Sequence, residues 1–144
     1  METKLPIASL LLRVGLGITF LSAVASRFGL WKDSSGWDGF LEYTAMVNSF
    51  APEGIIPVLA IAATILEITI AALLIIGYKT RWAALGAALL TLVFAMTMAY
   101  SYGIKNPLDY SVFVDSTAAF LLACIPTYKW SLDELLMKQS GHLS

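Results

Sequence analysis

The chain of 144 residues is 58% hydrophobic and 13% charged, with a formal net charge of −1 and a mean hydropathy of +0.77. Soluble domains carry about 25% charged residues, so this balance excludes an ordinary water-solvated globule, and the absence of a Lys/Arg cluster excludes a basic nucleic-acid surface. One cysteine, Cys124, and one histidine, His142, exclude an intramolecular disulfide, a Cys/His metal site and a haem held by paired histidines.

The first apolar run, residues 5–26, is long enough for a spanning helix of roughly 20 residues. Lys4 and the small residues Ala23–Ala25 imitate a secretory signal, but Arg13 interrupts the apolar stretch and the stretch is too long for one. A polar excursion follows, residues 27–54. Trp37, Phe40, Leu41, Thr44 and Val47 recur in it at helical spacing. Residues 37–50 therefore read either as an interfacial helix over one mouth of a bundle or as a loop anchored by its aromatics.

A second span, residues 55–77, carries a single charge, Glu67, near its centre. Residues 78–81 form a tight turn into a third span, 82–102, and residues 103–106 another into a fourth, 107–128. Short connections make neighbouring helices antiparallel. Gly77 and Gly103 suit left-handed helix stops. Asn106 suits a cap for the fourth helix, with Pro107 first in it and Asp109 in its first turn. Ser131 and Glu134 read as a capping box for an amphipathic tail helix, 131–140, with Leu132, Leu135 and Leu136 on its apolar side and Gly141 at its end. The expected architecture is thus all-α: one integral-membrane domain, a four-helix up-down bundle with an interfacial segment in the first loop. Loop Lys and Arg residues divide five (Lys4, Lys79, Arg81, Lys129, Lys138) against three (Arg27, Lys32, Lys105), which places both termini in the cytoplasm.

An ionisable group at the bilayer centre costs about 2.5–3.5 kcal/mol even on insertion scales, so its retention implies a partner or a task. Arg13 lies about 12 Å into the first span and Glu67 about 15 Å into the second from the same side, which predicts an Arg13–Glu67 ion pair. Small residues flank each charge: Ser9 and Gly17 beside Arg13; Ala60, Ala63, Thr64 and Ala71 beside Glu67; Ser111, Ala118 and Ala119 beside Asp115 in the fourth helix. Such residues mark helix–helix contacts in membranes, so the three charges should point inward. Tyr100, Tyr102 and Tyr110, with Asp115, would line a polar pocket. Cys124 reads as a small packing residue, and Met96 and Met98 as lipid-facing or core filler.

Three stretches, taken together, resemble the DoxX family of small bacterial membrane proteins (DoxX, DoxD and MauE-like). They are Leu10–Ser22 with Arg13, Leu66–Ile68 continuing through Ile76–Leu85, and Lys105–Phe113. The resemblance implies a four-helix bundle in the bacterial inner membrane, associated with quinone-linked or other oxidoreductase complexes. On that reading Glu67 and Asp115 relay protons, and Arg13, Tyr100 and Tyr110 bind a quinone. The partners are membrane lipid and a protein of the redox complex, with no nucleic acid, and an oligomer is compatible with it. The ion pair would alternatively be a clasp that fixes helix register in a non-catalytic scaffold. A small-solute or proton carrier is a third reading, against which stand the missing inverted repeat and unbroken mid-spans.

Overall fold

With apolar side chains too numerous for its own core, the chain must satisfy its backbone within helices if it is to meet lipid. A computed structural model describes residues 4–141 and contains only helices among them; His142 lies outside the described residues. Among the described residues three helices are long and apolar enough to cross a membrane: α1 (Lys4–Arg27), α3 (Ile56–Ile76, entered through a 3-10 turn at Glu53–Ile55) and α4 (Thr80–Tyr102). Each shows one side to the outside, with Leu11, Ile18, Val58, Ile65 and Leu89 all exposed, as lipid-facing residues are.

The inner sides are built from small residues. Ala83, Ala84, Ala87, Ala88 and Ala95 of α4 are buried, and α6 (Val112–Ala123) packs on them closely enough for Ser116 Oγ to donate to the Ala88 carbonyl at 2.8 Å. In α1 a Cβ added at Gly17 would sit 2.6 Å from Ile75 Cγ1, so that glycine sets how near α1 and α3 lie.

The fourth span departs from expectation. In place of one helix over 107–128 there is a five-residue α5 (Lys105–Asp109), a break at Tyr110–Ser111 with Ser111 at φ 57°, and the twelve-residue α6. At 1.5 Å per residue α6 is about 18 Å long, short of the ~30 Å hydrocarbon core. Pro126 explains the early end: it has no N–H and holds Ile125 out of the helical region. Asn106 does not cap a long helix. It lies inside α5 and donates from Nδ2 to the Tyr102 carbonyl at 3.1 Å, while Asp109 ends α5 in an ion pair with Lys105.

Much of the remaining punctuation is as the sequence indicates. Gly77 stops α3 in the left-handed region (φ 75°, ψ 41°), its N–H on the Leu73 carbonyl. Gly103 ends α4 with its N–H on the Ala99 carbonyl, but at φ 85° and ψ 161° it is not the left-handed helical stop expected of it; the chain leaves extended instead. The first loop contains a helix, α2 (Gly36–Val47), whose end is tied to the end of α4: Ser101 Oγ donates to the Val47 carbonyl at 2.6 Å and meets Ser49 Oγ at 2.9 Å. In the tail, α7 (Leu132–Gly141) starts with the capping box. Ser131 Oγ accepts the Glu134 N–H at 3.1 Å, and Glu134 Oε2 accepts the Trp130 N–H at 2.8 Å. Asp133 also clamps α7 to the α3–α4 turn, its two oxygens accepting the N–H groups of Lys79 and Thr80 at 2.7 and 2.8 Å.

Candidate functional site: a carboxylate-bearing cavity

The register of α1 against α3 decides which charges meet. Arg13 lies beside Gly77, Gly17 beside Ala71 and Ile75, and Arg27 beside Thr64 and Glu67. The helices are antiparallel as expected, but the first turns of α1 run past the end of α3. Arg13 therefore sits about ten residues, roughly 15 Å, along α3 from Glu67. It is buried at the tail end, where Nη2 donates to the Trp130 carbonyl at 2.8 Å and Nε and Nη1 have no acceptor among the described residues. The expected Arg13–Glu67 pair does not form. The expectation aligned the two spans by their ends, and the Tyr128–Ser131 segment instead fills the space beside Arg13.

Arg27, the last residue of α1, takes the place of Arg13. Its Nη1 donates to Thr64 Oγ1 at 2.8 Å, and Nη2 donates to Glu67 Oε1 at 2.8 Å while lying 2.7 Å from Oε2. One nitrogen thus lies within ion-pair distance of both carboxylate oxygens. Both side chains are buried. Phe40 of α2 covers the guanidinium, with Cζ 3.8 Å from its ring centroid, a cation–π contact that seals the pair from outside. The signal for Arg27 was present in the sequence: it continues the stripe Ser9, Arg13, Gly17, Phe20, Val24 at helical spacing, and all of these are buried.

A cavity of about 440 Å³ opens beside this pair, between α1, α2, α3, α4 and α6. Arg27 and Glu67 line one side, Asp115 and Tyr110 another, and Leu59, Leu66, Leu90 and Phe94 supply apolar wall. Its size lies within the 300–1,000 Å³ range of small-molecule sites, which pair apolar walls with a few placed polar groups. Asp115, in the first turn of α6, is half-buried and reaches the cavity, as does Tyr110 at the break before that helix. Tyr100 does not. It is 73% exposed and stands edge-on to Phe50 outside the cavity. Tyr43, which sequence reasoning passed over, contributes from α2; burial, then neighbouring Tyr102 and Tyr110, push its phenol above the ordinary value, which keeps it protonated. A smaller cavity of about 300 Å³ lies on the other side of Arg27, Phe40 and Tyr43. Met98 is buried against the main cavity, whereas Met96 and Cys124 face outward, so Cys124 is not a packing residue.

No curated protein and no solved structure matches the chain. Residues 5–109 match the family described as methylamine utilisation protein MauE. The match takes in Arg13, Arg27 and Glu67 and stops short of Asp115. Covering most of the chain, it shows that this protein belongs to the MauE family of small membrane proteins, a family related to DoxX-like membrane proteins.

Proposed function

We propose that the protein is a membrane subunit of a quinone-linked redox system, seated in the bacterial inner membrane with both termini cytoplasmic, and that its cavity receives a quinone head group. A single observation carries this reading. A buried carboxylate, Glu67, is held by Arg27 at the wall of a 440 Å³ apolar cavity that a second carboxylate, Asp115, also lines. Intramembrane ionisable groups of this kind ordinarily mark proton relays or ligand sites. The family description, methylamine utilisation, is consistent with a redox setting.

The residues present suit such a ligand. Arg27 fixes the Glu67 carboxylate and supplies positive potential at the wall. Arg27 holds both oxygens of Glu67 within ion-pair distance, and Asp115 provides a second proton station toward the α6 end. The rim phenols of Tyr43 and Tyr110 are placed to donate to a carbonyl. A quinone, when bound, supplies two-electron chemistry coupled to protons. The electrons come from a protein partner.

Mild-detergent extraction followed by organic extraction and mass spectrometry tests the reading. Wild-type protein is expected to retain a quinone, and Ala63→Trp, which fills the cavity, to lose it while inserting normally. Recovery of no quinone above that variant's level would remove the proposal. The scaffold alternative has one observation in its favour: α7 leaves the large apolar side chains Leu135 and Met137 exposed, as is Trp130 just before it. Under that reading, truncation of α7 lowers partner recovery and Ala63→Trp does not.

A further inference from the structure

The cavity begins where α3 and α4 part. Near the turn that joins them the two helices touch: a Cβ added at Gly86 would lie 3.6 Å from Ile70 Cδ1, ordinary van der Waals contact. One helical turn further along each, Leu66 and Leu90 stand on the cavity wall. Ala62 and Leu59 continue that wall on α3, and Val93 and Phe94 on α4. All six side chains are apolar. Leu59, Leu66 and Val93 are also 36%, 49% and 48% exposed, so the cavity reaches the outer surface along this gap. From Leu59 to Leu66 the opening follows about 10 Å of helix. Its far end is closed by α2, whose Val47 lines the cavity and is tied to α4 through Ser101 Oγ. Both flanking helices are long and apolar enough to span a membrane, so the gap faces acyl chains. The polar groups lie elsewhere on the wall: Arg27 and Glu67 at one side, Tyr110 and Asp115 at another.

We infer that the ligand is an amphiphile whose hydrocarbon chain leaves through the gap between α3 and α4 into the bilayer, while its polar head stays beside Arg27, Glu67 and Asp115. This rests on the quinone reading above and adds the chain and its route. A chain lying in the gap meets only carbon, so no polar group there loses a hydrogen bond to it. Laid along the other side, it would press on Thr19, Tyr110 and the Asp115 carboxylate, and taking such groups from water without a new partner is costly. A water-soluble solute without a chain makes no use of the gap, whose walls offer it no hydrogen bond. A molecule already dissolved in the bilayer needs only to move sideways, its head passing between Leu66 and Val93 to reach the Arg27–Glu67 pair.

The test is calorimetric titration of the full chain in lipid nanodiscs with a decyl-substituted benzoquinone and with the same ring carrying methyl in place of decyl, each affinity referred to the concentration in the lipid. Wild-type protein should bind the decyl compound more tightly, and undetectable binding of the methyl compound supports the inference equally. Val93→Trp, which fills the gap from α4, should weaken the decyl compound by about tenfold or more, a difference of about 1.4 kcal/mol, and the methyl compound by less than about twofold. Leu59→Trp fills it from α3 and serves should Val93→Trp fail to fold. Ile65→Trp and Leu89→Trp, on the outward sides of the same helices, should change neither affinity. Equal weakening of both compounds by the gap variants, or weakening of neither, would overturn the chain route and leave the quinone site standing. Binding of neither quinone, with decanol bound and displaced by Val93→Trp, would remove the quinone head group and keep the gap as the route of a chain. Binding of none of the three would remove both.

Discussion

Two arginines of one helix sit at opposite ends of the bundle and are used differently. Arg27 meets a carboxylate, a threonine hydroxyl and an aromatic face, and it borders a cavity. Arg13 is equally buried but, among the described residues, hydrogen-bonds one backbone carbonyl and has two nitrogens without acceptors, and it lies under the tail segment, against Gly77 and Ser131. The difference separates a charge that is locally compensated, and so free to serve a ligand, from one that ties chain segments together. Removal of either should therefore damage a different property.

The largest effect is expected at the compensated pair. Arg27→Ala leaves Glu67 buried without its cation, and uncoupling such a pair costs about 3–5 kcal/mol. Glu67→Ala leaves the reciprocal defect. The double variant should cost less than the two singles added, because neither charge then remains alone. Thermal unfolding of the detergent-solubilised single and double variants reads this coupling directly. A sum that is simply additive would mean that Arg27 and Glu67 do not act as a unit.

Arg13→Ala should do less, and elsewhere. It removes a hydrogen bond from a charged group, worth about 1.5–3 kcal/mol, along with packing against Gly77. Limited proteolysis should find the segment after Tyr128 cut faster, while ligand binding in the cavity is unchanged. If the cavity instead loses its ligand, the two ends of α1 are coupled through the helix, and the division drawn above fails. Asp133→Ala follows at about 1 kcal/mol, the ordinary worth of a helix cap. The N–H groups of Lys79 and Thr80 lose their acceptor, and α7 comes free of the α3–α4 turn.

These two corners also show what the sequence could carry. The inward faces were legible: Ser9, Arg13, Gly17 and Phe20 on α1, and Ala60, Thr64, Glu67 and Ala71 on α3, are all buried. So were the left-handed stop at Gly77, the capping box at Ser131 and Glu134, and the inward placement of Asp115. Small residues and turn chemistry are local signals. The axial stagger of α1 against α3 is not local. It depends on what else occupies the end of the bundle, and the filler is the Tyr128–Ser131 segment, some fifty residues beyond α3. Without that segment Arg13 and Glu67 look level, and Arg27 looks like a loop charge. The break of the fourth span was readable at one end, where Pro126 forbids continuation, and not at the other. Nothing in Tyr110–Ser111 demands a left-handed residue.

The tail provides the mildest probe, through pH. Glu134 is partly exposed, and its carboxyl is held below the usual 4.5 by the Lys138 ammonium first and the Trp130 N–H second. Its folded value is lowered, so its contribution is complete above 4.5 and is lost as pH falls through the lowered value. Hydrogen exchange at the Trp130 amide should therefore be steady from neutral pH down to about 4.5 and rise, relative to intrinsic rates, only below it. In Glu134→Gln, which can still accept the Trp130 N–H but has no charge to offer Lys138, that acid rise should vanish while protection at neutral pH falls slightly. An acid transition that persists in this variant would show that the tail's pH response does not come from the capping box.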